Sequence, residues 1–495
     1  MPHRGALRAF GLMAAYLAFC HAKATVAWNL NAHAKSSTSI RASTIPVDFA
    51  VQIDAGSTGS RVFIYAWGRR ESVFSAGPIE HSMTTPTQVD WSIQTKPGLS
   101  KFGTAAAAGA SLVPLLDFAK ERLGKAGCPA IASVPLFLGA TAGMRVLHPD
   151  DVTAILNSVR RTVRAAGFLL RRDEDVRVLS GEEEGVFGWI AVNWLSKTYA
   201  ADTSIGSLGA LDLGGASTQI TFRPTESILD GYFPLTINDR TTDLYTHSYL
   251  YYGRDEALEL QAAALLLAGK HSNPCFPVGA NDTSVYRLPG SADSAACAQS
   301  VDTLIDVSVP CMHADRTRCS FLGVFQPKLP RELHFVAMSY FYYLWSFFGL
   351  GQTANLASLQ AKAAETCAMS LAELRYAHPT ERDEYLTGYC FGGWYVLKLL
   401  HKGYGFELEH TNLSVAESID GTALSWTFGA MLYSANKMRW ALQRSDQPCI
   451  SLVLFWGTSA ALAAVIGTLL FMLLRQHRLK AAISDRGYVI HVERE

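Results

Sequence analysis

Charged residues are scarce in this 495-residue chain: 17%, against roughly 25% in an ordinary soluble domain. That shortage implies that part of the chain sits in lipid. Neither sign is in excess, since Lys+Arg and Asp+Glu both number 43. A nucleic-acid binder carries a basic excess or stripe, so no nucleic-acid partner is expected. There is no Cys-x-x-Cys pair and no His-Glu-x-x-His stretch, which argues against a metal cage of soft ligands. With 24 Phe, 19 Tyr and 10 Trp, and no low-complexity segment over 225–440, intrinsic disorder is excluded. What remains is a large folded protein, of two or more domains or one large α/β body, with at least one membrane segment.

The membrane segment is expected at Ile450–Leu474, 25 residues without a charge, which is long enough for a spanning helix. Arg475, His477, Arg478 and Lys480 follow, so the positive-inside rule puts the tail 475–495 in the cytoplasm. At the other end, Arg4 and Arg8 precede the apolar run Ala9–Cys20 and Ala22-Lys23-Ala24. Residues 1–24 thus read as a signal peptide, with an uncleaved anchor as the alternative, and 25–45 as a linker. The part between, about 45–448, is expected outside the cytoplasm. Two glycosylation sequons, Asn281-Asp282-Thr283 and Asn412-Leu413-Ser414, lie there. So do eight of the nine cysteines, which an oxidising compartment would pair, although spacing alone does not choose the pairing.

Four short segments carry the chemistry. A strand from Val47 runs into Asp54-Ala55-Gly56-Ser57-Thr58-Gly59-Ser60, and a second strand, Arg61–Trp67, follows at once. After alanine-rich helices near 104–127 and 151–167, with a strand Val134–Leu138 between them, the pattern recurs. Leu208–Leu211 leads into Asp212-Leu213-Gly214-Gly215-Ala216-Ser217-Thr218 and then Gln219–Phe222. Two Asp-x-Gly turns between apolar strands suggest a duplicated unit whose halves face one cleft. Glycines let backbone N–H groups converge on a phosphate, and Ser or Thr hydroxyls add donors. Asp54 and Asp212, at the strand ends, suit a hydrated divalent cation such as magnesium. Gly139-Ala140-Thr141-Ala142-Gly143-Met144-Arg145 follows a strand and ends on an arginine suited to a phosphate oxygen. In Ser180-Gly181-Glu182-Glu183-Glu184-Gly185, adjacent glutamates at a helix start are usually dipole-complementing surface charges, but opposite a phosphate one of them could deprotonate water.

Together with Ser425-Trp-Thr-Phe-Gly-Ala-Met-Leu432, these segments stand in the order of the five apyrase signatures. Over about 48–440 the chain resembles the nucleoside triphosphate diphosphohydrolase (apyrase) family, as a membrane-bound member. The resemblance implies an α/β fold of two RNase H-like domains of the actin/Hsp70/hexokinase type around a nucleotide cleft, with the transmembrane helix added. The lobes are expected at 46–175, with 400–440 returning to it, and 176–399. By the same resemblance Glu184 is the general base, and Ser217 and Gln219 position the water. Asp54 and Asp212 hold Ca2+ or Mg2+ through its water shell, with Thr141 and Trp426 nearby. Gly56–Ser60 and Gly214–Ser217 grip the phosphates, and Tyr343 and Tyr389 sandwich the base. Cys275–Cys297, Cys311–Cys319 and Cys367–Cys390 resemble family bridges, while Cys128 and Cys449 have no evident family partner. The first turn reads Ser-Thr-Gly-Ser where vertebrate cell-surface members commonly carry Ser-Ser-His, so Golgi, vacuolar and surface locations all stay open.

The expected reaction is hydrolysis of the terminal phosphate of nucleoside tri- or diphosphates, and the membrane segment offers a surface for self-association. Two alternatives stand beside it. An exopolyphosphatase would share the two turns and the glutamate segment. A noncatalytic actin-like nucleotide-binding protein would have little use for Glu184 and Gln219 together.

Overall fold

The computed structural model describes residues 47–68, 91–128, 130–199, 207–237, 240–280, 286–311 and 319–437, with part of a helix within 464–475. The segments 1–24 and 25–45, most of 450–474, and nearly all of 475–495 lie outside the described residues. Among the described residues no helix is long and apolar enough to cross a membrane.

Two sheets form the frame. The first contains β1 (Val47–Ala55), β2 (Ser60–Gly68), β3 (Ser92–Thr95), β4 (Leu136–Ala140) and β5 (Val176–Val178), in the order β3-β2-β1-β4-β5. The second contains β6 (Gly209–Leu213), β7 (Ser217–Phe222), β8 (Tyr232–Ile237), β9 (Arg240–Leu250), β10 (Phe335–Ser339) and β11 (Leu413–Val415), in the order β11-β10-β6-β7-β9-β8. β1, β4 and β5 run parallel, as do β6, β10 and β11. Without the extra edge strand β8 the two orders coincide, so the duplication read from the two turns extends to whole sheets. In each sheet the aspartate turn connects the central strand to its neighbour on the other side, β1 to β2 and β6 to β7.

The lobe limits differ from those expected. β5 begins at Val176 yet pairs with β4 in the first sheet, and β11 lies beyond residue 399 yet pairs with β10 in the second. Strands of three residues have no measurable periodicity, so only their pairing across the fold reveals them.

Alternation along β1 explains the layering. Val51, Ile53 and Ala55 point into a core shared with the helices Val113–Lys125 and Pro149–Ala165. Ala50 lies in the central core between the sheets, and Gln52 and Asp54 share its face by the two-residue period of a strand. That central layer is filled by two helices, Gly181–Leu195 and Trp426–Lys437, which pack on each other. The buried Tyr65 hydroxyl of β2 lies 2.9 Å from the Thr427 hydroxyl, tying the first sheet to the second of these helices. A third core lies beyond the second sheet, among the helices Tyr340–Phe347, Leu356–Cys367 and Tyr389–Lys398. There the disulfides Cys275–Cys297 and Cys367–Cys390 lie buried, and Cys311–Cys319 is also formed. Cys128 is free, and Cys449 lies outside the described residues.

Candidate active site

The helix Gly181–Leu195 sorts its three glutamates by geometry. Ser180 is the N-cap: its hydroxyl accepts from the Glu183 N–H at 3.1 Å, and the Glu183 carboxylate accepts from the Ser180 N–H at 3.0 Å. Glu183 also takes a bidentate pair from Arg177 at 2.6 and 2.8 Å, so it serves the helix end. Successive helical residues are about 100° apart. Glu184 is therefore turned away from that cap, and it is buried at 7% exposure.

Around Glu184 a set of polar side chains assembles. Arg145 Nη2 donates to its Oε2 at 2.5 Å, and Gln219 Nε2 lies 3.4 Å from the same oxygen. Gln219 Nε2 also donates to Ser217 Oγ at 2.8 Å and to Ser248 Oγ at 2.9 Å. No hydrogen bond reaches Glu184 Oε1 among the described residues, which leaves that oxygen open to a water proton. Burial pushes the Glu184 carboxyl up to about 7, against the pull of Arg145, with Asp212 and Asp54 adding to the rise. Arg145 is committed to the glutamate segment: its Nε donates to Leu179 O at 2.8 Å and its Nη2 to Ser180 O at 3.2 Å. Its Nη1 is buried with no partner, the one group left to meet an anion.

The two turns meet. A methyl group placed on Gly215 would fall 2.7 Å from the Ser57 hydroxyl and 2.9 Å from the Thr58 methyl, so the second turn packs directly against the first there. The third glycine segment abuts the first, with Gly143 against Ser57, and the Thr141 N–H donates to Ala55 O at 3.1 Å. In the second turn the carbonyls of Gly214 and Gly215 accept from the N–H groups of Arg254 and Asp255, while Ala216 is buried. At the strand ends Asp54 and Asp212 are both buried, and the Oδ1 of each has no hydrogen-bond partner. The Ser60 hydroxyl, after the first turn, is buried and unpartnered too. Burial lifts the Asp54 carboxyl to about 7; Arg61 opposes that rise and Asp212 reinforces it. Burial raises Asp212 as well, against the Ser339 hydroxyl, Arg61 and the Leu213 N–H. Bare, desolvated carboxylate oxygens of this kind fit a hydrated divalent cation, which would remove the cost of ionising them.

The aromatic residues are arranged differently from the expected sandwich. Tyr389 is buried and stacked face to face on Phe347, with centroids 3.5 Å apart, whereas Tyr343 is half exposed and makes its ring contact with Tyr342. Phe347 lies one helical turn beyond Tyr343 and covers a face of the Tyr389 ring. Trp426 is buried beneath β4, against Gly139 and Leu179. Sequence reasoning missed two site residues. Ser248 stands opposite Gln219 in the β7–β9 register, and the Ser339 hydroxyl, at the end of β10, is near enough to Asp212 to favour its carboxylate. The pairing of Ser248 has no local signal, although the serine that ends β10 directly before a helix was a readable oddity.

A buried carboxyl group thus lies beside two glycine-serine turns and two bare aspartates on a duplicated α/β frame. The chain belongs to the GDA1/CD39 (nucleoside phosphatase) family, whose family model matches residues 42–450. It is 34% identical to human ectonucleoside triphosphate diphosphohydrolase 2 over 78% of this chain and 82% of that protein. It is 32% identical to bovine ectonucleoside triphosphate diphosphohydrolase 1 over 79% and 82% of the two chains. The crystal structure of nucleoside triphosphate hydrolases from Neospora caninum matches 78% of this chain and 92% of its own, with a TM-score of 0.54 at 15% identity, a likeness of fold.

Proposed function

We propose that this chain cleaves the terminal phosphate from nucleoside tri- and diphosphates by direct attack of water, with Glu184 as general base. The observation that carries this reading is the placement of Glu184: buried, held on Oε2 by Arg145 and Gln219, and open on Oε1. Ser217 and Gln219 would orient the water. Its proton passes to Glu184 Oε1 as its oxygen bonds to phosphorus, and the bridging P–O bond breaks to release a nucleoside di- or monophosphate. Backbone N–H groups and hydroxyls of Gly56, Ser57, Thr58, Gly59 and Ser60, and of Gly214, Gly215, Ala216 and Ser217, would hold the phosphate chain, joined by Thr141 and Arg145 Nη1. Asp54 and Asp212 would hold Ca2+ or Mg2+ through its waters; that ion, when bound, offsets charge on the phosphate oxygens. Positioning and charge neutralisation are most of what phosphoryl transfer asks of a protein. Tyr343 and Tyr389 remain the proposed contacts for the nucleobase, with Phe347 displaced from the Tyr389 face on binding.

The uncharged run at 450–474 and the basic residues after it support a membrane-anchored form, with the catalytic part outside the cytoplasm. Phosphate release by the purified chain from ATP, ADP, GDP, UDP and polyphosphate, with and without chelator, tests the reading. Nucleotide turnover abolished by chelator is expected. Preference for polyphosphate would favour the exopolyphosphatase alternative, and ATP binding without turnover the noncatalytic one.

A further inference from the structure

A cavity of about 480 Å³ lies between the first sheet and the two central helices. In the register of β1 and β4, Asp54 pairs with Gly139 and, two residues further back from the turns, Gln52 pairs with Phe137. A Cβ on Gly139 would fall 2.7 Å from both the Trp426 ring and the Leu179 side chain, so these two groups fill the sheet face at the level of Asp54. Below them Gln52 and Phe137 line the cavity from the sheet. Phe187 and Tyr433, with ring centroids 5.5 Å apart, line it from the helices. A space of this size, with aromatic walls and few polar groups, is of the kind that takes a small organic ligand.

Two of its polar groups lack partners. Gln52 is only 3% exposed, yet its side chain makes a single hydrogen bond, from Nε2 to Ile53 O at 3.3 Å. The amide oxygen and the second N–H are left bare, which is costly in a buried site. At the cavity's edge Arg171 is exposed and its side chain has no hydrogen bond or ion pair among the described residues. Its neighbours there are engaged, Arg172 with Asp175 at 3.3 Å and Arg177 with Glu183 at 2.6 Å. Glu174 stands at the same edge, a carboxylate of the kind that accepts from ribose hydroxyls. We propose that this cavity is a second, noncatalytic site for a nucleoside monophosphate, with the base against the aromatic walls and the Gln52 amide and the phosphate on Arg171. An alkyl chain would fill the same walls but leave the amide bare, and inorganic phosphate would leave the walls empty. A nucleoside monophosphate is a product of the reaction proposed above, so the choice of ligand rests on that reading.

The test titrates AMP calorimetrically into the full chain, with Mn2+ and a saturating non-hydrolysable nucleoside triphosphate present to fill the catalytic cleft. One AMP is expected to bind per chain, with adenosine and inorganic phosphate each at least about tenfold weaker. Arg171→Ala, at an exposed position, and Gln52→Met, which keeps the length of the side chain, should each weaken AMP about tenfold and leave the affinity for the triphosphate unchanged. The proposal is overturned if the filled chain binds no AMP, if AMP binds no more tightly than inorganic phosphate, or if Arg171→Ala keeps the wild-type affinity for AMP. These readouts need no turnover. A chain that hydrolysed no nucleotide yet bound AMP through Arg171 and Gln52 would sink the enzymatic reading and leave this site standing. A chain that turned over ADP but bound no AMP outside its cleft would do the reverse.

Discussion

Replacing Glu184 by glutamine isolates one property of the site. The amide has nearly the shape of the carboxyl group, so its oxygen can take the Oε2 position and still accept from Arg145 and Gln219. Its NH2 group then stands at the Oε1 position and cannot take a proton from water. Loss of a general base costs about 10²- to 10⁴-fold in rate, or roughly 3–5 kcal/mol of barrier. Stability should move the other way. Burial holds the Glu184 carboxyl up near 7, so at pH 8 the folded protein carries its carboxylate at a cost in stability, and a neutral amide avoids that cost. Glu184→Gln should therefore melt no lower than wild type, bind a non-hydrolysable nucleotide normally, and release phosphate from ATP at least 100-fold more slowly. Steady-state phosphate release at saturating ATP, with a thermal melt of the same preparation, decides the matter. A folded, nucleotide-binding variant with turnover within about tenfold of wild type would refute the assignment.

Three further outcomes follow from neighbouring groups. Arg145 lowers the Glu184 carboxyl, so Arg145→Gln should raise it further and move the acidic limb of the kcat/KM–pH profile to higher pH; an unmoved limb in a folded variant would contradict the pairing. Ser248 should act through Gln219: Ser248→Ala is expected to lower kcat about tenfold, the value of one hydrogen bond, and to add nothing in a Gln219→Ala background. Additive losses would show that it acts elsewhere. Asp54 has its carboxyl raised by burial from 3.8 to about 7, so its ionisation weakens the cation-free fold as pH rises through that window. Asp54→Asn should raise the chelator melting temperature at pH 8, by at most about 4 kcal/mol of stability, and abolish the cation-induced shift. A lower melting temperature in chelator would contradict this.

What the sequence disclosed was whatever is local along the chain. Asp54 with its turn, Asp212 with its turn, and Glu184 with its cap each lie within about seven consecutive residues, and each marks a strand end or helix start by its own chemistry. The duplication was legible because two such turns repeat. Contacts set by register or packing were hidden. Ser248 meets Gln219 only because β9 runs antiparallel to β7, and β5 and β11 are too short to show a period. The stacking of Tyr389 on Phe347 depends on two helices meeting face to face, for which an aromatic residue in sequence gives no direction. Arg145 was legible as a cation near the cleft, but its commitment to Leu179, Ser180 and Glu184 was not.

The central claim is that the turns at 56–60 and 214–218 close on one phosphate with Glu184 behind the attacking water. A crystal structure of the chain with Mn2+ and a non-hydrolysable nucleoside triphosphate tests it most directly. The account requires the terminal phosphate in contact with both turns, the Mn2+ anomalous signal beside Asp54 and Asp212, and a water within hydrogen-bond reach of Glu184 Oε1. A triphosphate bound away from either turn, or a Glu184 with no water between it and phosphorus, would contradict it.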